Sequence, residues 1–238
     1  ITSLPDGRFL ITEKDGDMRI ASADGTLSEK IKGIPAVNNA GQGGLLGITI
    51  DPDFSANRMV YWTFSQSNPD GNLTAVAKGK LSQDEKSIEN AQVIYRATPA
   101  HKSALHYGGR ILFDKTGNII FSTGERSDLE TRPQAQFLNS SLGKVIRITT
   151  DGKAAPGNPF EKRSDARPEL YSYGHRNVQG LALNPATGDL WESEFGPRGG
   201  DEINLIKPGK NYGGPTITYG IEYAGPKIGD GIQQKEGM

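Results

Sequence analysis

The string HYGGR, residues 106–110, sets a histidine on a glycine-rich turn ahead of a run of β-branched residues. An imidazole titrates near neutrality, so His106 is a candidate general base, with a plain surface histidine as the alternative. Arg110 is a candidate partner for carboxylates. Glu125, in STGERS (122–127), is expected at the far end of the same strand. It is suited to orienting a histidine or accepting a hydrogen bond from a hydroxylated substrate, and equally to being a solvated acid in a turn. In YGHRNVQG (173–180), Arg176, Asn177 and Gln179 offer a charged fork and two amides, a set that suits a planar ligand bearing carbonyl and carboxylate oxygens. Strand alternation turns His175 away from Arg176 and gives it a structural role.

Two further strings complete the candidate chemistry. GQGGLLG (41–47) is not a dinucleotide loop, because Leu46 stands where the third glycine belongs and no β-α-β context surrounds it. Its glycines let the backbone approach a flat ligand, with Gln42 as the polar tip. A tight turn with an exposed glutamine is the favoured reading of this string taken alone. SEFGPRGGDEINLIKPGKNYGGP (193–215) supplies Glu194, Asp201, Glu202 and many turn carbonyls. Hard oxygen donors of this kind suit calcium better than zinc or copper, and no two histidines are spaced for zinc.

These strings need elements to position them. Four segments share one shape, a turn with Asp, Asn or Gly flanked by short runs of β-branched and aromatic residues. They align on Gly7, Asn57, Gly117 and Gly188, at intervals of 50, 60 and 71 residues. A loose repeat with a hairpin in each copy predicts the blades of a β-propeller with long insertions. Phe9 and Ile11, Val60 and Trp62, and Ile119 and Phe121 alternate as strands with one buried face do. Helical signal is weak, with at most a short turn in 82–92 and another in 132–144. The chain is therefore read as all-β, and its long polar connections favour a propeller over a sandwich or barrel. A propeller gathers such connections over a central channel.

Composition narrows the function classes. The 27 basic and 28 acidic residues leave a net charge of −1, and no long basic run marks a nucleic-acid footprint. No apolar stretch is long enough to span a bilayer. With no cysteine, disulfides, thiolate metal sites and a cysteine nucleophile are excluded. The 31 glycines and 14 prolines, spread throughout, fit many short elements joined by tight turns.

Taken in order, GQGGLLG, DPDF, HYGGR, LGKVIRI, NPF, YGHRNVQGLA and GPRGGDEINLI-x-PGKNYG resemble the pyrroloquinoline quinone (PQQ)-dependent soluble aldose and glucose sugar dehydrogenases. Each string is weak alone, whereas the ordered set is specific. The resemblance implies a six-bladed propeller with the quinone over the channel, an aldose substrate, an external electron acceptor, and a periplasmic or secreted location. It implies that His106 is the base taking the anomeric hydroxyl proton, that Gln42 contacts quinone and substrate oxygens, and that Arg176, Asn177 and Gln179 hold the quinone carbonyls. It also implies that the Gly196 and Pro197 carbonyls hold a catalytic calcium, and that Glu202 (carboxylate) and Tyr212 (main-chain oxygen) hold a second, structural one.

Two departures bear on specificity. Leu105 stands where glucose-specialised members carry an acid, which favours the broader aldose branch. Gly214 replaces the tryptophan of the family's NYGWP string and removes an aromatic wall. The 238 residues are expected to form one propeller domain of about four blades, incomplete at both ends, and to be inactive by themselves. A non-catalytic propeller that binds protein or glycan, and a calcium-dependent lactonase-like propeller hydrolase, are the alternative functions.

Overall fold

The computed structural model describes residues 1–229 and 231–238. Four antiparallel sheets follow one another along the chain. The first holds β1 (Thr2–Ser3), β2 (Phe9–Thr12) and β3 (Met18–Ala21). The second holds β4 (Leu45–Ile50), β5 (Met59–Asn68), β6 (Gly71–Leu81) and β7 (Ile88–Arg96). The third holds β8 (Gly108–Phe113), β9 (Ile119–Thr123), β10 (Lys144–Ile148) and β11 (Leu170–Tyr173), and the fourth β12 (Val178–Leu183), β13 (Leu190–Glu194) and β14 (Glu202–Ile206). Every sheet is a meander in chain order. The first strands lie side by side in space, β1 by β4, β4 by β8 and β8 by β12. That is a run of propeller blades around an axis, as the repeat predicts.

The four aligned turn positions all fall between the first and second strand of a blade. At Asp114 the carboxylate accepts the backbone N–H of Thr116 and of Asn118, which closes the turn and leaves Gly117 at φ +77°. Within 82–92 only residues 82–87 are a turn, and the rest enters β7; Arg132–Gln136 forms one 3₁₀ turn. A single helical turn at Phe54–Asn57, α1, lies outside the sequence reading.

Three cores lie between successive blades. Leu10 and Met18 meet Val60 and Trp62 in the first. Tyr61 and Val76 meet Phe121 and Ile146 in the second, and Ile120 and Val145 meet Val178 and Leu190 in the third. A middle blade is buried on both faces, so Trp62 faces one core and Tyr61 the other. The one-face expectation therefore fails for β5 and β9. In β2 it fails in phase, because Leu10 is the buried residue and Phe9 is exposed.

Hydroxyls set the pitch from blade to blade. Thr12 donates to the Leu46 carbonyl (2.7 Å), Thr63 to that of Gly109, and Ser122 to that of Val178 (3.0 Å). Each donor is on the second strand of one blade and each acceptor near the start of the first strand of the next. Thr63 and Ser122 also accept an N–H from their own bulged first strand, Gly47 at 2.9 Å and Arg110 at 3.0 Å.

Candidate functional site

Gln42, His106 and Arg176 occupy equivalent places, each shortly before the first strand of a blade. The propeller thereby brings them to one end of the molecule. Glu125 follows β9 and reaches the same end, because the turn at Asp114–Asn118 reverses the chain between His106 and Glu125. The expectation that Glu125 lies at the far end of a single strand is thus corrected.

His106 is nearly buried and sits in the left-handed region, φ +46°. Its N–H donates to Gln42 Oε1 at 2.8 Å, and the Gln42 N–H donates to the Ala104 carbonyl at 2.8 Å, so the two loops brace each other. Its Nδ1 lies 2.5 Å from Glu125 Oε1, while Glu125 Oε2 accepts the Ser127 N–H at 3.0 Å. Gly124 must be glycine here, because an added Cβ would overlap the His106 carbonyl and reach 3.1 Å from Asn177 Oδ1. Arg110, the candidate carboxylate partner, is exposed and makes no ion pair among the described residues.

Glu125 is also in the wall of a cavity, together with Arg132, Arg176, Gly196, Pro197, Glu202 and Tyr212. The Glu125 N–H donates to the Arg176 carbonyl at 2.9 Å, which joins the histidine loop to the arginine loop. One guanidinium nitrogen of Arg176 donates to the Phe195 carbonyl at 2.7 Å. Burial pulls the Arg176 pKa below its ordinary value, with Glu125 acting against that shift. Glycines 174, 196, 200 and 214 contribute wall without side chains. Of the residues singled out from sequence, Glu125, Arg176, Glu194, Gly196, Pro197, Glu202 and Tyr212 are among those lining this cavity. His106 reaches it through Glu125, and Gln42 through His106.

Asn177 and Gln179 are placed differently. Asn177 is buried, and its Oδ1 accepts the Gly108 N–H (3.1 Å) and Gln179 Nε2 (3.0 Å). It therefore ties β8 to β12. Gln179 is exposed and lines a neighbouring cleft with Ser193, Asp201 and Ile203, which shares Glu194, Phe195 and Glu202 with the cavity wall.

Acids in and beside the cavity wall hold its backbone. Glu194 Oε2 accepts the N–H groups of Arg176 (2.5 Å) and Asn177 (3.1 Å), and its Oε1 lies 3.3 Å from His175 Nδ1. Asp201 Oδ1 accepts the Gly196 N–H at 2.9 Å. Both acids thus serve as internal acceptors. His175 is fully buried, bonded through Nε2 to Ser172 Oγ at 2.7 Å and stacked on Tyr212 at 4.8 Å, in keeping with a structural role. Glu192, absent from the sequence reading, is buried with Oε2 unpartnered. Burial and the neighbouring Glu194 push its pKa up to about 9. Burial also raises the Glu202 pKa, with Asn204 as its hydrogen-bond donor at 3.0 Å.

Comparison with known proteins gives one answer. Residues 1–238 match the family described as Glucose / Sorbosone dehydrogenase. The aldose sugar dehydrogenase YliI of Escherichia coli (strain K12) is 43% identical over 227 residues, which cover 94% of this chain and 60% of that protein. The crystal structure of the soluble aldose sugar dehydrogenase from Escherichia coli in the apo-form superposes with a TM-score of 0.93 at 40% identity, over 100% of this chain and 68% of that one. The PQQ-bound form of the aldose sugar dehydrogenase from Streptomyces coelicolor gives a TM-score of 0.78 at 34% identity, over 98% and 65% of the two chains. The chain thus spans about three fifths of the length of its Escherichia coli relative.

Proposed function

The chain belongs to the glucose/sorbosone dehydrogenase family, and on that footing we propose that it carries the base and much of the cofactor cradle of a PQQ- and calcium-dependent aldose oxidation. The observation that carries this reading is the His106–Glu125 contact, whose glutamate stands in the wall of the cavity that Arg176 also lines. A carboxylate held against Nδ1 favours the tautomer with its proton on that nitrogen, which leaves Nε2 to accept the anomeric hydroxyl proton.

The residues present fit the cofactors. An anionic, flat quinone suits the stretch of wall where glycine backbone at 174, 196, 200 and 214 adjoins Arg176, while Arg132 is paired with Glu222 and the wall carboxylate of Glu194 is taken up by backbone N–H groups. A hard cation suits the carbonyls of Gly196 and Pro197, with Glu202 and the Tyr212 main-chain oxygen serving a second ion. PQQ, when bound with calcium, supplies the two-electron acceptor for the hydride that leaves the anomeric carbon and yields the lactone. The chain's own part is to hold that proton acceptor fixed, to offset developing negative charge with the Arg176 guanidinium, and to keep Gln42 at the base. Asn177 and Gln179 contribute by locking β8 against β12, which fixes the Arg176 turn. An electron acceptor outside the enzyme and a periplasmic or secreted location go with this reading. It is supported by the family match and by the PQQ-bound relative.

The test is titration of the purified protein with PQQ, with and without calcium, followed by aldose-dependent dye reduction. His106→Ala is expected to keep quinone binding and lose at least about 10²-fold in kcat. Loss of binding together with activity would instead make His106 a cofactor ligand.

A further inference from the structure

Arg126 is a guanidinium with 1% exposure and no carboxylate within ion-pair distance among the described residues. Burying a cation in this way is costly, and it persists only where several acceptors and a π-face replace water. Those acceptors are specific. Nε donates to the Leu105 carbonyl at 3.0 Å, one terminal nitrogen to the Asn72 carbonyl at 3.2 Å, and the other to Asn72 Oδ1 at 2.5 Å and to the Ser103 carbonyl. The guanidinium carbon lies 3.9 Å from the centre of the Tyr107 ring, and the Tyr107 hydroxyl donates to the same Asn72 Oδ1 at 2.7 Å. Arg126 therefore grips the chain on both sides of His106 and anchors it to β6, which begins at Gly71.

The grip coincides with strain. His106 (φ +46°), Arg126 (φ +74°) and Ser127 (φ +53°) all sit in the left-handed region without being glycine. Such a conformation is strained and persists only where the surroundings over-determine it. Glu125, which meets His106 Nδ1, is the preceding residue, so one short segment both pairs with the base and clamps its loop.

We propose that Arg126 is a positioning residue that holds the strained loop 103–107 so that His106 Nδ1 meets Glu125, the residue through which the base reaches the cavity wall. This rests on the dehydrogenase reading above for its catalytic consequence but not for its structural one. The fork and the ring contact need a planar guanidinium, so lysine is a poor substitute.

Arg126→Met, Arg126→Lys and the remote core variant Leu10→Ala are compared in the PQQ- and calcium-loaded protein at a temperature where all are folded. Arg126→Met is expected to lower kcat on the order of 10²-fold with KM changed less than about threefold. Arg126→Lys is expected to recover only part of that loss, and Leu10→Ala is expected to keep the wild-type kcat despite its lower Tm. Independently of any turnover, hydrogen exchange at the His106 and Gly108 amides is expected to speed up in both Arg126 variants and not in Leu10→Ala. Unchanged exchange at those amides overturns the proposal, as does a kcat loss in Leu10→Ala equal to that in Arg126→Met. If the wild type binds no quinone in the presence of calcium, the dehydrogenase reading fails while the exchange result still decides the role of Arg126.

Discussion

Gly124→Ala tests whether the placement of the base, and not merely its presence, carries the activity. The new Cβ would lie far inside the 3.0 Å that real Cβ contacts keep from the His106 carbonyl carbon and oxygen, both backbone atoms. Gly124 has no left-handed φ, so the substitution adds steric conflict without conformational strain. The loop can relieve the conflict only by moving away from β9, and a shift of about 1 Å stretches the 2.5 Å His106–Glu125 contact out of hydrogen-bond range. A misplacement of that size costs roughly 10²-fold in rate, while overpacking costs about 1–3 kcal/mol of stability. The assay is steady-state aldose-dependent dye reduction by the loaded protein, with kcat and KM separated and PQQ affinity measured in parallel. The expected result is a kcat about 10²-fold lower with quinone affinity within about threefold, since Arg176 keeps its own anchors on Glu194 and Phe195. Gly117→Ala is the control. It lies in the turn at the opposite end of the same blade, has open space around it and only a positive φ to strain. It is expected to lose about 1 kcal/mol of stability and no activity. A Gly124→Ala protein that folds and turns over within twofold of wild type would refute the account of the base.

Thr63→Val deletes one step of the hydroxyl ladder without changing side-chain volume. It leaves the Gly47 N–H and the Gly109 carbonyl without their partner, at about 1–3 kcal/mol each, so a chemical melt should show a loss of about 2–6 kcal/mol. Lys144 is fully buried and its Nζ donates to the carbonyls of Gln134 (2.8 Å), Ala135 (2.9 Å) and Leu142 (2.6 Å), capping the loop that leads away from Glu125. Lys144→Met orphans all three carbonyls but also removes a charge whose burial is unfavourable, and a net loss of about 3–5 kcal/mol is expected by the same measurement. Glu192 binds its proton more tightly folded, at about 9, than at its ordinary 4.5, so the folded state holds more protons between those values and stability falls as pH rises through that window. In calcium-free buffer, Glu192→Gln should flatten that slope, raising Tm at pH 8 and leaving it nearly unchanged at pH 4.5, as scanning calorimetry would show.

Much of the fold is legible in the sequence because turns announce themselves chemically. The aligned positions Gly7, Asn57, Gly117 and Gly188 mark all four first hairpins; three carry an aspartate or asparagine with a following glycine, and the fourth, at Asn57, is glycine-free, with Arg58 in the left-handed region. Alternation was less reliable. In LWESEFG the apolar residues Trp191 and Phe195 face out while Glu192 and Glu194 face in. The acids are buried because the backbone amides of Arg176 and Asn177, His175 and Asn204 wait on that side, and none of those donors is visible from β13 alone. Arg126 is hidden for a related reason. In STGERS it reads as a surface charge next to an acid, and only the depth of the segment and the carbonyls of a distant loop make it a clamp. Gln179 shows the converse, a residue that matches a family string yet lies outside the cavity and acts between strands.

The site follows from how the blades are registered against one another. The residues that matter stand just before first strands, which are the strands nearest their neighbours around the axis. Each of β4, β8 and β12 carries a register shift near its start, and the carbonyls of Leu46, Gly109 and Val178, at the positions concerned, accept the hydroxyls of Thr12, Thr63 and Ser122 from the preceding blade. One hydrogen bond per blade thus fixes the height of each lead-in loop relative to the last. A flat ligand spanning several blades requires those heights to agree, because a donor set displaced by even one ångström no longer shares a plane. The hydroxyl ladder and the Arg126 clamp act on the same quantity from two sides, the first setting where β8 begins and the second where His106 stands before it. Combining Thr63→Val with Arg126→Met should therefore lower kcat by more than the product of the single effects, as coupled neighbours do, whereas either change combined with the remote Leu10→Ala should simply multiply.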